Sequence, residues 1–147
     1  MVDILHRVGI RSTSTEEVYA ALTSVDGLSR WWTTDTSGDA DVGGVLAFRF
    51  VDGGFDMEVV ELDDDRHVGW RVVDGPPEWI GTTVTFDLDR ADGQTIVLFS
   101  HRGWEEPGEF MHHCSTKWAT YLMSLKSVVE TGTGSPSPHD VVISNWN

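Results

Sequence analysis

The chain has 147 residues, of which 39% are hydrophobic and 23% charged, proportions typical of a single soluble domain with a packed core. Ten lysines and arginines stand against 24 aspartates and glutamates, a net charge of −14 that disfavours binding to nucleic acid or to a membrane surface. No apolar run is long enough to span a membrane, no signal peptide is recognisable, and the lone Cys114 excludes an intrachain disulfide. We therefore expect a cytoplasmic protein.

The first part of the chain predicts one strand followed by two short helices. The strand alternates over residues 4–10, and one face carries Ile4, His6, Val8 and Ile10. The Ser/Thr run 12–15 with the glutamates after it contains two overlapping capping boxes, which predict the start of a short helix. Asp26 is expected to cap a second helix, and the polar run 33–44 has no periodicity and is predicted to be a loop.

The middle of the chain predicts an antiparallel meander, and the part after it a long helix. From Val45 onward the pattern has a period of two and is interrupted by turns at hairpin spacing. Five strands are predicted, at residues 45–50, 55–62, 68–72, 82–88 and 96–102. After Pro107 and Gly108 the period changes to 3.6 and predicts a helix of about 22 residues that ends at Gly132.

These elements predict an α+β fold in one domain of residues 1–132. A curved antiparallel sheet of six strands would pack against the long C-terminal helix, with the two short helices after strand 1. Residues 133–147 contain Pro, Ser and Gly and are expected to form a loosely held tail. Residues 141–143 and Trp146 are the apolar side chains that could dock it back.

Large aromatic side chains recur on the inner face of the predicted sheet and helix. They either fill the core or line a ligand cavity between sheet and helix. Trp31 and Trp32 are adjacent in a predicted helix, so at least one of them is expected to be exposed or at the pocket rim. The predicted ligand-binding residues are Phe48, Trp70, Phe86, Phe99, His101, Trp104, Phe110, Cys114 and Trp118.

The junction between the last strand and the long helix concentrates residues that could bind a metal or react. His112, His113 and Cys114 are successive, so on a helix they point about 100° apart and cannot converge on one ion. A mononuclear site of His101, His113 and Glu109 is the remaining metal alternative, but the expectation is no metal and no cofactor. Cys114 lies on the apolar stripe of the helix, where burial would make it an inert core residue.

His101 is the candidate for acid–base chemistry. It shares a strand face with Val97 and Phe99, so its side chain is predicted to point inward. There it could be a hydrogen-bonded core histidine, an orienting contact for a flat ligand, or a general acid–base. These three readings stay open, and no catalytic residue is assigned.

Several segments resemble the START-like (SRPBCC) helix-grip superfamily, in a branch similar to the C-terminal domain of the activator of Hsp90 ATPase. The resemblance spans about residues 4–131 and is carried by residues 16–23, 28–32, 77–79, 82–86 and 101–118 together with Trp70. It implies a helix-grip fold. Because the superfamily includes lipid and hormone carriers, polyketide cyclases and co-chaperones without a shared catalytic motif, it does not imply one activity.

Three functions are consistent with these features. The first expectation is a non-enzymatic protein that binds a small hydrophobic or aromatic molecule between sheet and helix. The alternative is an enzyme resembling polyketide cyclases and dehydratases, with His101 as its acid–base. The second alternative is a protein that interacts with a chaperone in the manner of the Hsp90 activator, through its acidic surface. A protein partner or a homodimer stays open in each case.

Overall fold

One antiparallel sheet, packed against a long helix, makes up the fold. The computed structural model covers residues 1–147. Its elements follow in the order β1 (Val2–Arg11), α1 (Glu16–Leu22), α2 (Val25–Ser29), β2 (Asp35–Gly38), β3 (Val45–Phe50), β4 (Gly53–Asp63), β5 (His67–Asp74), β6 (Thr83–Ala91), β7 (Gln94–Trp104) and α3 (Glu109–Thr131). The sheet order is β1-β7-β6-β5-β4-β3-β2. The α+β prediction is therefore confirmed, with β1 and β2 at the two edges.

The sheet has seven strands, so the prediction of six was wrong. The additional strand is β2, which lies in the polar run predicted to be a loop and pairs with β3. Its four residues are Asp, Thr, Ser and Gly, and only Thr36 among them is half-buried. An edge strand held by backbone pairing, without an apolar face, leaves no period-two pattern to detect. Gly38 has a φ of 111°, and a Cβ there would lie 2.2 Å from the carbonyl oxygen of Val45.

The five meander strands lie where the period of two predicted them. Each pairs with its sequence neighbour in an antiparallel ladder. The β6–β7 turn has Asp92 and Gly93 at φ values of 53° and 76°, the left-handed pair that a tight hairpin requires. Two irregularities in the β4–β5 pairing, after Asp56 and after Val59, bend the sheet.

α3 packs one apolar stripe onto the sheet and ends as predicted. Its buried residues are Cys114, Trp118, Tyr121, Leu122, Ser124, Leu125 and Val128. Gly132 caps the helix in the left-handed conformation at φ 87°, and its N–H donates to Val128 O over 3.0 Å. None of the three helices combines the length and apolar composition that crossing a membrane requires.

The predicted helix caps are shifted. Ser24, not Asp26, caps α2, because its Oγ accepts the Gly27 N–H at 2.9 Å. At α1 the N-cap Thr15 makes no side-chain cap bond, and Thr13 instead donates through Oγ1 to Glu17.

The edge strand β1 lies between β7 and α3. Its register with β7 runs from Val2 opposite Trp104 to Arg11 opposite Gln94. On its other side, α3 contributes Lys126, whose Nζ donates to Gly9 O, and Glu130, which accepts the Arg11 N–H over 2.8 Å. The helix therefore bonds backbone groups of β1 that the sheet leaves free.

The C-terminal segment, residues 133–147, is docked where the sequence predicted a loosely held tail. Ser137 is buried, accepts the Thr34 N–H at 3.0 Å, and donates its own N–H to Trp32 O at 2.8 Å. The Ser135 N–H donates to Ser124 Oγ at 2.7 Å. Hydrogen bonds of backbone groups up to Ser137 hold the first part of the segment, and composition does not reveal them.

Candidate functional site

An open cavity of about 440 Å³ lies at one end of the grip between α3 and the sheet. Its walls are α3, the β3–β4 turn, the loop before β6 and the C-terminal segment. The aromatic lining consists of Trp32, Phe50, Phe55, Trp79, Phe110, Trp118, Tyr121 and Trp146. A concave, largely aromatic site of this volume is typical of pockets for small organic molecules.

Three of the nine predicted ligand-binding residues line this cavity, namely Phe110, Cys114 and Trp118. The other six lie in the closed core, each 2% exposed or less: Phe48, Trp70, Phe86, Phe99, His101 and Trp104. Phe86 shows why, because its ring packs 5.2 Å from Trp70 and 5.3 Å from Phe99, measured between centroids. The aromatic side chains under the middle of α3 fill the space that the sequence left open as a cavity.

Trp31 and Trp32 are both buried, so neither is exposed, and of the two expected alternatives a place at the pocket fits Trp32. They follow the end of α2, and their rings stack at 5.6 Å with 10° between the planes. The Trp31 indole N–H donates to Ala21 O at 2.9 Å. Trp32 continues inward to Trp118, 4.9 Å away, and its ring forms part of the cavity wall. Beyond the helix end the two side chains are free to turn the same way.

His101 is fully buried beside the cavity wall and bonded through both ring nitrogens. The Trp118 indole N–H donates to Nδ1 over 3.1 Å, so the ring proton resides on Nε2, which donates to Thr82 Oγ1 over 2.8 Å. Thr82 in turn donates to Trp79 O over 2.5 Å. Burial lowers the pKa of His101 to about 3. Every polar atom of the ring therefore has a protein partner, and the ring is neutral at physiological pH.

The polar corner of the cavity, formed by Lys117, Tyr121 and Asp140, joins α3 to the C-terminal segment. The Lys117 ammonium donates to Asp140 Oδ2 and to Val141 O, and Tyr121 Oη donates to the same Oδ2 at 2.9 Å. The Asp140 side chain is 4% exposed and that of Lys117 11%. Burial alone would raise the pKa of Asp140, but the bonds from Lys117 and Tyr121 outweigh it and lower the pKa. Burial and the Asp140 carboxylate both raise the pKa of Tyr121.

Cys114 and Trp79 meet at the inner wall of the cavity. Burial raises the pKa of the Cys114 thiol to about 12. The thiol is therefore unreactive. The Trp79 side chain is 5% exposed, and its Nε1–H is buried without a hydrogen-bond acceptor.

The cavity includes residues that the sequence analysis did not place there. Lys117 and Tyr121 carried no signal beyond their place on α3, and the expectation for Trp32 was shared with Trp31, that at least one of the two is exposed or at the pocket rim. Asp140 lies in the segment predicted to be loose. The candidate metal residues do not cluster, and no group of three or more His, Cys, Asp or Glu side chains is placed to hold an ion.

Comparison with known proteins assigns the family. The family described as "Activator of Hsp90 ATPase homolog 1-like protein" matches residues 12–130. The chain belongs to this family. The resemblance to the helix-grip superfamily in its Hsp90-activator-like branch is thereby confirmed. The comparison of this chain with curated proteins finds no match.

Solved structures agree with the family. The Aha1 dimer from Colwellia psychrerythraea, a solution structure, is 46% identical with a TM-score of 0.84 and covers 91% of this chain and 100% of its own. Protein SSP2350 from Staphylococcus saprophyticus is 15% identical with a TM-score of 0.75, covering 90% and 95%. CalU16 from Micromonospora echinospora is 20% identical with a TM-score of 0.71, covering 88% and 77%. The last two share the fold alone.

Proposed function

We propose that this protein binds a small apolar or aromatic molecule in the cavity between α3, the β3–β4 turn and the C-terminal segment. The observation that carries the proposal is the open, aromatic-lined volume of about 440 Å³ next to a core of buried aromatic side chains. The rings of Trp32, Phe55, Trp79 and Trp118 offer flat apolar contacts to a ligand. The unreactive Cys114 thiol at the wall suits binding, and a cytoplasmic setting fits a single reduced cysteine.

Two adjacent histidines provide a matched test. His113 lines the cavity and is half-buried, whereas His112, the preceding residue of α3, is exposed and lies outside the lining. We expect His113→Trp to fill part of the cavity and weaken ligand binding about tenfold or more, and His112→Trp to leave binding within about twofold. Calorimetric titration with a panel of flat aromatic compounds measures both. Equal affinities for the two variants, or no binding by the parent protein, would contradict the proposal.

An acid–base enzyme using His101 is the less supported reading. His101 lies outside the cavity lining, both of its nitrogens are bonded within the protein, and its pKa is far below neutrality. A general acid–base needs a free nitrogen within hydrogen-bond reach of the substrate and a pKa near the working pH. We therefore propose binding without catalysis.

A chaperone-directed function is the second candidate, favoured by the family and by 46% identity to a protein described as Aha1. The net charge of −14 would make such an association salt-dependent. The test is the ATPase rate of Hsp90 measured with and without the added protein. Stimulation that falls as salt rises supports this candidate, and an unchanged rate at low salt removes it.

We also propose that the protein forms a homodimer. The 46% identical relative is described as a dimer in solution. Sedimentation of this protein across a concentration series tests whether it shares that assembly, and a monomer mass at every concentration would exclude it.

A further inference from the structure

The polar corner is arranged as a carboxylate-binding site. The carboxylate that occupies it is the side chain of Asp140. Lys117 and Tyr121 lie one turn apart on α3, and the ammonium lies 5.5 Å from the Tyr121 ring centroid. Both donors converge on one oxygen, Asp140 Oδ2. An ammonium and a hydroxyl fixed on one rigid helix present a preformed pair of donors to any carboxylate that reaches them.

Asp140, which accepts both hydrogen bonds, lies in a part of the C-terminal segment that is held more weakly than α3. The C-terminal segment is bonded to the body up to Ser137, through the Trp32 and Thr34 backbone. Beyond it, every hydrogen bond from residues 140–147 to the rest of the molecule comes from Lys117 or Tyr121. The apolar Val141 and Val142 are 59% and 70% exposed and add little packing. Residues 140–147 can therefore separate from α3 by breaking three hydrogen bonds and the contact between the Trp146 and His113 rings, whose centroids lie 5.5 Å apart.

The cavity lining around Lys117 and Tyr121 indicates which kind of ligand could accept their hydrogen bonds in place of Asp140. Lys117 is the only lysine or arginine in the cavity lining, and it directly precedes Trp118, which lies in the same lining. The buried Trp79 Nε1–H adds a donor without an acceptor at the inner wall. The lining thus combines one cation, the hydroxyl residues Tyr121 and Ser137, the carboxylates of Asp52 and Asp140, and an aromatic wall. Once Asp140 is displaced, the cation and the wall match a ring system bearing a single carboxylate.

We propose that the ligand of the cavity is a small aromatic carboxylic acid, and that Asp140 is an internal competitor which the ligand carboxylate replaces on Lys117 and Tyr121. The inference rests on the proposed binding function and adds to it the ligand class and an autoinhibitory contact. A buried ammonium needs a counter-charge, and the exchange supplies one carboxylate for another. Because the Asp140 carboxylate is tethered, it competes at an effective concentration of about millimolar.

The test uses naphthylacetic acid and its neutral analogue naphthylacetamide as probes, titrated calorimetrically into the full chain. We expect Asp140→Asn to raise the affinity for the acid about tenfold or more, and for the amide by less than about twofold. Asp41→Asn is the control, because Asp41 is exposed, lies outside the cavity lining and makes no bond to Lys117. It removes the same charge, and we expect it to change neither affinity by more than about twofold.

Lys117→Met should abolish the preference for the acid over the amide while retaining amide binding. Hydrogen exchange of the unmodified protein gives a second readout that does not depend on a variant folding. The acid, but not the amide, should increase exchange at residues 140–147, because only the acid displaces Asp140.

The outcomes distinguish failure of the proposed binding function from failure of the carboxylate ligand class and the competitor role of Asp140. Equal gains for acid and amide in Asp140→Asn, or no gain for the acid, would overturn the competitor role and the carboxylate class while amide binding still supports a ligand cavity. If neither probe nor any other aromatic compound binds any variant, the binding function and this inference both fail.

Discussion

The two halves of the space beneath α3 differ in what faces the helix. Under its middle, the strands β5, β6 and β7 present Trp70, Phe86 and Phe99, and the interior is closed. Near its first turns, α3 faces the β3–β4 turn, the loop before β6 and the C-terminal segment, and a cavity of about 440 Å³ stays open. Both halves are rich in aromatic side chains. Regular strand faces interdigitate with the helix, whereas loops approach it unevenly and leave space.

Truncating an aromatic side chain in each half gives the largest expected contrast. Phe86→Ala removes a fully buried ring between Trp31, Trp70 and Phe99, and should lower the free energy of unfolding by about 3–5 kcal/mol. Phe110→Ala removes a half-buried ring at the open cavity and should lower it by about 1 kcal/mol or less. Urea unfolding measures both. Similar losses would show that the two halves are equally packed.

His101→Phe tests whether the hydrogen-bonded histidine belongs to the closed half. The substitution keeps a flat ring but leaves the Trp118 and Thr82 polar atoms without their partner, which should reduce the free energy of unfolding by about 2 kcal/mol at pH 7. A stability unchanged at this pH would mean that these bonds contribute nothing to the closed half.

The same variant should alter the pH dependence of stability. The folded pKa of His101, about 3, lies below the ordinary value of 6.5, so between these values the unfolded chain binds a proton that the folded protein does not. The contribution is therefore fully present above pH 6.5 and is lost at up to roughly 1.4 kcal/mol per pH unit as the pH falls towards 3. The gap between the parent protein and His101→Phe should narrow on acidification. Parallel pH profiles would contradict the assigned neutral ring.

Trp31 and Trp79 allow the comparison with the smallest expected difference in stability. Trp31 in the closed half donates its indole N–H to Ala21 O, whereas Trp79 at the cavity has no acceptor for its own. Both Trp→Phe substitutions shrink the ring, but only Trp31→Phe removes a hydrogen bond. We expect it to be the more destabilising of the two by about 1 kcal/mol, measured by thermal unfolding. A larger loss for Trp79→Phe would reveal a bonded partner for that N–H.

Features that depend on apolar periodicity could be predicted from the sequence. The five meander strands and the end of α3 at Gly132 follow from side-chain alternation and from glycine's freedom at positive φ. The strand β2 and the docking of Ser137 depend on backbone hydrogen bonds, for which residue identity carries no signal. The cavity was predicted between sheet and helix, but its lining depends on how loops pack, which parity along a strand does not determine.

The position of β1 at the sheet edge also has a consequence for how the chain folds. The strand β7, with which β1 pairs, begins at Gln94. The α3 side chains that bond the β1 backbone are Lys126 and Glu130, more than one hundred residues from β1. During synthesis the first strand therefore leaves the ribosome long before any of its neighbours exists. We expect folding to be slow for a domain of this size and to be completed only after α3 has been synthesised, since the contacts of β1 with β7 and α3 each close a long loop.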